Sequence, residues 1–146
     1  MARLENLEGA KIALDTVIFI YALEDNPDFG KMATKIFEKI EEGRIQGFAS
    51  DLALAELMVQ PLRKGRTEVA DEYAQELPKF PNLSFGSLTR QIVINAARLR
   101  GNSNLALIDA LHLASAIEAN CTIFLTNDTA IKHPNPGIEI TLLSEM

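Results

Sequence analysis

The sequence predicts an α/β domain built around a parallel β-sheet. Short apolar runs alternate along the chain with longer segments of helical periodicity, which is typical of successive βα units. The chain has 146 residues with no linker, repeat or low-complexity stretch, and this length suits one hydrophobic core. We therefore expect residues 1–146 to form a single domain in which helices flank a central sheet.

The expected elements follow from the apolar runs and from residues that start or stop helices. Strands are expected at residues 11–15, 47–50, 83–85, 122–126 and 138–143, and helices at 17–24, 27–42, 52–59, 67–77, 88–100 and 104–120. Gly43 and Gly101 are expected to end the second and fifth helices, Pro61 to end the third, and Ser103 to cap the last.

The composition is typical of a globular protein in a reducing compartment. Apolar residues make up 47% of the chain and charged residues 23%. Cys121 is the single cysteine, so an internal disulfide is excluded, and we expect its side chain to pack as a small apolar group. The N-terminus does not resemble a signal peptide, and the longest strongly apolar run, residues 17–23, is too short to span a bilayer. A cytoplasmic location is expected.

Two aspartates are expected at the carboxyl edge of the sheet. Asp15 ends the first predicted strand, and Asp128 follows the fourth by two residues. In an open parallel sheet, ligand sites form beyond the carboxyl ends of the strands. An equally good interpretation is that each aspartate caps a following helix, since Asp is a favoured N-cap residue.

Two further acids lie inside strongly apolar helical segments. Glu56 is in LALAELMV and Asp109 is in LALIDALHLA. No Lys or Arg lies three or four positions from either acid, so a local helical ion pair is excluded. A carboxylate in apolar surroundings is costly unless it has a partner or binds a metal. Both acids therefore predict a functional site, with a structural salt bridge to a distant residue as the alternative.

The four candidate acids together would form an all-carboxylate cluster: Asp15, Glu56, Asp109 and Asp128. Such clusters suit Mg²⁺ or Mn²⁺, and these ions support phosphoryl transfer by activating water and stabilising charge on the phosphate. Histidine and cysteine are too scarce for a zinc site, and the chain has no Gly-rich phosphate loop. The cluster therefore predicts metal-dependent chemistry at a phosphate.

The net charge of −6 is unusual for a protein that binds nucleic acid. Without the four candidate acids, however, the chain has 14 basic and 16 acidic residues (20 − 4), and bound cations would offset the charge of the site. Arg63-Lys64-Arg66 and Arg98/Arg100 are candidate RNA contacts, or else solvated helix ends. The acidity thus weakens the prediction of a nuclease only modestly.

Four segments resemble, in order and spacing, the signature blocks of the PIN-domain ribonucleases, most closely the VapC-type toxins of prokaryotic toxin–antitoxin pairs: LDTVIFIYALE, SDLALAELM, LIDALHLASAIEANC and FLTND. The resemblance implies a Rossmann-like three-layer sandwich, Mg²⁺- or Mn²⁺-dependent endonucleolytic cleavage of RNA, a homodimer and an antitoxin partner. It also implies that the catalytic and metal-binding residues are Asp15, Glu56, Asp109 and Asp128, with Thr126 and Thr16 as candidates of second rank.

One position departs from the family pattern. Val17 stands where family members commonly carry Ser or Asn, so a polar support for Asp15 or its metal is missing. The main alternative is therefore a PIN-fold module that has lost catalysis and acts by protein or RNA binding. A metal-dependent phosphatase or receiver-like domain is a weaker alternative, because no lysine is distinctively placed for it. His112 is interpreted as a histidine with a hydrogen-bonded neighbour and His133 as a loop residue.

Overall fold

The computed structural model describes residues 3–132 and 137–146, so the predicted loop residue His133 lies outside the described residues. Five strands form one parallel sheet in the order β3-β2-β1-β4-β5, which confirms the expected fold class. The strands are β1 (Lys11–Leu14), β2 (Gln46–Ser50), β3 (Leu83–Gly86), β4 (Ile123–Thr126) and β5 (Glu139–Leu142).

Six α-helices flank this sheet in the described part of the chain. They are α1 (Thr16–Leu23), α2 (Gly30–Glu41), α3 (Leu52–Arg63), α4 (Thr67–Glu76), α5 (Arg90–Gly101) and α6 (Leu107–Glu118). Short 3₁₀ helices occupy Leu4–Leu7, Leu77–Lys79 and Leu143–Glu145. Among the described helices, none has both the length and the apolar character needed to cross a membrane.

Apolar side chains fill both faces of the sheet. Ile12 and Leu14 of β1 pack into a cluster with residues of α1, α2 and α3. Ala13, which points to the opposite face, packs with Phe124 of β4 and with residues of α5 and α6. The domain is therefore a three-layer sandwich with the sheet in the middle.

The strand order places a topological switch point between β1 and β4. From β1 the chain builds outward through β2 to β3, and it then returns to the other side of β1 as β4 and β5. Ligand sites in open α/β sheets form beyond the carboxyl ends of the strands at such a point. Asp15 follows β1 and Asp128 follows β4, so both acids lie at this edge.

Pro61 and Ser103 do not set the helix boundaries that the sequence predicted for them. Pro61 lies inside α3, which continues to Arg63, because tertiary packing can hold a helix past a proline that weakens it locally. Ser103 does not cap α6, which begins at Leu107. Its hydroxyl instead donates to the Leu99 carbonyl of α5 at 2.7 Å. Local residue preferences therefore predicted where these helices lie in the sequence but not the residues at which they begin or end.

Cys121 is buried in the core beside α6, as expected of a small apolar side chain. Burial raises the pKa of its thiol to about 11, and the nearby charge of Lys11 lowers it by a smaller amount. Since the thiolate is the reactive form, iodoacetamide should label the folded protein at neutral pH at least about a hundredfold more slowly than the unfolded chain. Mass spectrometry with and without denaturant checks this, and equal labelling rates would contradict it.

Candidate active site

Asp15 both caps α1 and belongs to the acidic edge. Its Oδ1 accepts a hydrogen bond from the Thr16 backbone N–H at 2.8 Å, and its Oδ2 accepts one from Thr126 Oγ1 at 2.6 Å. Burial raises the pKa of this half-buried carboxyl, and the hydrogen bond from Thr126 acts in the opposite direction. The two interpretations of Asp15 from the sequence are therefore compatible.

Thr126 connects Asp15 to the segment that carries Asp128. The Thr126 side chain is fully buried, and its Oγ1 also accepts from the Asp128 backbone N–H at 3.1 Å. Asp128 itself is exposed, and its Oδ1 accepts from the Ala130 N–H at 2.9 Å in a turn rather than at a helix start. One buried hydroxyl thus fixes the relative positions of both strand-end acids.

Glu56 is held by donors from two other helices. Its Oε1 accepts from Thr16 Oγ1 at 2.7 Å and lies 2.6 Å from His112 Nε2. An ionised carboxylate can only accept, so Nε2 carries the hydrogen of this bond. The His112 hydrogen bond lowers the pKa of Glu56 below its ordinary value, more than burial raises it. Because both donors engage Oε1, the described contacts leave Oε2 available.

Because Glu56 lies in an apolar segment, its carboxylate was expected in apolar surroundings. In the structure, 42% of the Glu56 side chain is exposed. The reason is that α3 fully buries only Ala53 and Leu57, while Ala55, Val59 and Leu62 are exposed. The sequence excluded a local helical ion pair for Glu56, and this prediction is confirmed. The partner of Glu56 is His112 from α6, 56 positions away.

Asp109 lies in the first turn of α6 and is half-buried. Burial raises the pKa of its carboxyl, and the charges of Asp15, Asp128 and Glu56 raise it further. The four acids are therefore close enough to repel one another. Within residues 3–132 and 137–146, no Lys or Arg forms an ion pair with any of them, and the partner of Glu56 from α6 is the His112 ring.

The donor set fits a hard divalent cation. All four acids offer carboxylate oxygens, which are the ligands that Mg²⁺ and Mn²⁺ prefer. In the part of the chain that the structure describes, no Lys or Arg forms an ion pair with them. In the described ranges, no group of three or more His, Cys, Asp or Glu side chains is arranged closely enough to hold a metal ion. Holding a cation would therefore require the carboxylates to draw together around it.

Val17 does not take part in this arrangement. Its side chain packs against the apolar cluster between the sheet and α1–α3. The hydrogen-bond donors to Asp15 come instead from Thr16 and Thr126. The side chain at position 17 therefore has a packing role, and Asp15 keeps two donors without it.

The prediction that His112 has a hydrogen-bonded neighbour is confirmed, but sequence reasoning did not place His112 in the site. The side chain is 1% exposed, and its one described hydrogen bond is to Glu56. The signal was the Asp109-x-x-His112 spacing, which places both residues on one side of α6. Thr16 was a second-rank candidate, and the structure places its hydroxyl on Glu56.

Replacing His112 by leucine should loosen Glu56 and weaken Mn²⁺ binding by about tenfold or more, as loss of an outer-shell partner typically does. His112→Gln, which keeps a side-chain N–H donor, should recover part of the affinity. Calorimetric titration with Mn²⁺ measures both effects, and thermal unfolding separates them from a general loss of stability. Wild-type Mn²⁺ affinity in a folded His112→Leu variant would contradict this role.

The sequence profile of the PIN domain family matches residues 12–135 of the chain. No curated protein sequence matches this chain. Several solved structures share its fold at low sequence identity. VapBC2 from Rickettsia felis, bound to a DNA fragment from its promoter, has a TM-score of 0.69 at 19% identity and covers 90% of this chain and 98% of its own.

Two other structures are similarly close. The DNA-bound VapBC of Salmonella typhimurium has a TM-score of 0.68 at 17% identity, over 92% of this chain and 98% of its own. FitAcB from Neisseria gonorrhoeae has a TM-score of 0.67 at 14% identity, over 92% and 99%. The fold is thus shared along nearly the whole chain.

Proposed function

Since the chain belongs to the PIN domain family, we propose that it is a metal-dependent RNA endonuclease and the toxin of a toxin–antitoxin pair. The observation that best supports this activity is that Thr126 Oγ1 bonds both Oδ2 of Asp15 and the N–H of Asp128, while the neighbouring Thr16 hydroxyl bonds Glu56. Besides burial, the charges of these three acids raise the pKa of Asp109. Carboxylates that form no ion pair with a Lys or Arg among the described residues are suited to hold the divalent ions that phosphodiester hydrolysis needs.

In this proposal, Asp15, Asp109 and Asp128 hold Mg²⁺ or Mn²⁺, and Glu56 completes the group or orients the attacking water. The bound cation would supply an activated water and stabilise charge on the scissile phosphate. Thr126 fixes Oδ2 of Asp15, while His112 and Thr16 fix Oε1 of Glu56. These buried donors would limit the rotation of both carboxylates and so preserve their geometry during attack.

The most direct test is incubation of purified protein with structured RNAs, with and without Mg²⁺ or Mn²⁺. We expect internal cleavage that depends on the cation. Intact RNA under both conditions, from protein shown to be folded, would overturn the proposal of a nuclease.

The antitoxin partner is proposed because the similar structures come from toxin–antitoxin complexes. A cytoplasmic location and a homodimer belong to the same proposal. Expression of the chain alone should arrest growth, and co-expression of a small protein encoded beside it should relieve the arrest. Unchanged growth at high expression of the active nuclease would contradict the role as a toxin.

A catalytically impaired PIN module remains the second candidate, acting by protein or RNA binding. The family resemblance favours it at one position, because Val17 stands where family members commonly carry Ser or Asn. RNA that binds the protein but survives intact with every divalent cation tested would support this function over the first.

A further inference from the structure

Asp128 lies in a turn, whereas the other three candidate acids belong to helices. Asp15 caps α1, and Glu56 and Asp109 lie within α3 and α6. Asp128 is exposed, and the described hydrogen bond of its side chain stays within its own turn, residues 128–131, which we call the Asp128 turn. Its position relative to the other acids therefore depends on how the backbone that leads from β4 into this turn is held.

The side chain of Asn127 connects this backbone to two other parts of the molecule. Its Oδ1 accepts a hydrogen bond from the Ser144 backbone N–H at 2.9 Å, and its Nδ2 donates one to the Tyr21 hydroxyl at 3.1 Å. A backbone N–H can only donate, so the bond from Ser144 fixes which end of the amide is the oxygen, and the amino group then faces Tyr21. An amide suits this place because one short side chain offers both an acceptor and a donor.

Both partners of Asn127 are attached to the packed core. The Tyr21 ring lies on α1 and packs against Phe29, with ring centroids 5.0 Å apart. Ser144 lies in the last 3₁₀ helix, 17 positions beyond Asn127. Leu143 beside it is 2% exposed and belongs to the apolar cluster between the sheet and α1–α3. The Asn127 amide thus joins the Asp128 turn to two elements that the core holds in place.

We propose that Asn127 is a positioning residue for Asp128, and that its bonds to α1 and to the last 3₁₀ helix hold the Asp128 turn against the start of α1. Thr126 bonds Asp15 immediately before α1, and Asn127 bonds Tyr21 in the second turn of that helix. Two successive residues therefore attach the end of β4 to two points along one helix. This arrangement opposes rotation of the segment about either point.

The restraint matters because neighbouring carboxylates repel one another. Asp128 is exposed and lies outside a helix, so repulsion from Asp109 would displace its turn outward unless the turn is held. Loss of a group that fixes a metal ligand typically lowers metal affinity about 10- to 100-fold. This consequence for metal binding rests on the proposed function, whereas the restraint on the turn does not.

Amide hydrogen exchange in the metal-free protein, followed by NMR, tests the restraint independently of any nuclease activity. The backbone N–H of Ile131 donates to the Asp128 carbonyl at 3.1 Å and so reports on the turn. This hydrogen should exchange about fivefold faster or more in Asn127→Leu and in Tyr21→Phe, because each variant removes a hydrogen bond that holds the turn. Tyr21→Phe keeps the ring, so it carries the test if Asn127→Leu fails to fold.

Tyr73→Phe is the matched control. It also deletes a phenolic hydroxyl, and the hydroxyl of Tyr73 on α4 has no hydrogen-bond partner among the described residues. The Ile131 amide should exchange at the wild-type rate in this variant. Unchanged exchange in folded Asn127→Leu and Tyr21→Phe would overturn the proposal, as would equal acceleration in Tyr73→Phe.

Titration with Mn²⁺ tests the role in metal binding. Asn127→Leu should weaken binding by about tenfold or more, and Tyr21→Phe by a smaller factor. The double variant should bind no more weakly than Asn127→Leu, because both changes remove the same bond. A merely structural contact would lower the Tm and leave the Mn²⁺ affinity unchanged well below the Tm.

Wild-type Mn²⁺ affinity in variants whose Ile131 amide exchanges faster would overturn the positioning role. If the wild type itself binds no Mn²⁺, the proposed cation site fails, and the exchange rates then decide whether Asn127 holds the turn.

Discussion

Asp109→Asn is expected to lower metal-dependent RNA cleavage by at least about a hundredfold, because it removes one charge from the proposed cation site while keeping the shape of the side chain. Asp71→Asn is the matched control, since Asp71 is an exposed acid on α4, away from the acidic edge. It should cleave RNA like the wild type. Wild-type cleavage by Asp109→Asn would contradict the assignment of this acid.

The same variant should be more stable than the wild type in the absence of metal. Burial and the charges of Asp15 and Asp128 raise the pKa of Asp109, so its ionised form at neutral pH is unfavourable in the folded state. A neutral side chain relieves this penalty, so the Tm of the variant should lie above that of the wild type. A fall in Tm, measured in the presence of a chelator, would show that the carboxylate is structural.

Phe124→Ala should destabilise the fold by about 3–5 kcal/mol, a large part of the roughly 5–15 kcal/mol available to a domain. Phe124 is 1% exposed in β4, where it pairs with Ala13 of β1 and Ile140 of β5. The substitution would leave a cavity under α5 and α6. It also affects the strand that leads to Thr126 and Asp128, so the acidic edge should lose order as stability falls.

Urea denaturation measures this loss. Phe124→Leu is the control, since it keeps most of the volume and should cost less than about 1.5 kcal/mol. If Phe124→Ala were as stable as Phe124→Leu, β4 would not be the packing centre that its burial indicates.

The position of two acids could be predicted from the sequence because strand patterns are local. The apolar runs located β1 and β4, and the rule for parallel sheets then placed Asp15 and Asp128 at the same edge. Glu56 and Asp109 were predicted as further candidates because they lie in apolar helical segments without a local ion partner, and the family resemblance then assigned them to the same site. These predictions needed no knowledge of how the helices pack.

The hydrogen-bond partners could not be predicted in this way. Glu56 receives bonds from Thr16 and His112, which are 40 and 56 positions away, and no periodicity within α3 points to either. The exposure of Glu56 could not be predicted either, because the sequence of an apolar helix does not show which of its faces packs against the sheet. Tertiary packing decides both, and it leaves Val59 and Leu62 of α3 exposed.

The central claim is that Asp15, Glu56, Asp109 and Asp128 form a divalent-cation site, and Mn²⁺ binding followed by electron paramagnetic resonance tests it most directly. The wild type should bind Mn²⁺ saturably in the millimolar range or tighter, Mg²⁺ should compete, and the Asp15→Asn/Asp109→Asn double variant should lose the signal of bound ion. A wild type that binds no more Mn²⁺ than the folded double variant would contradict the account.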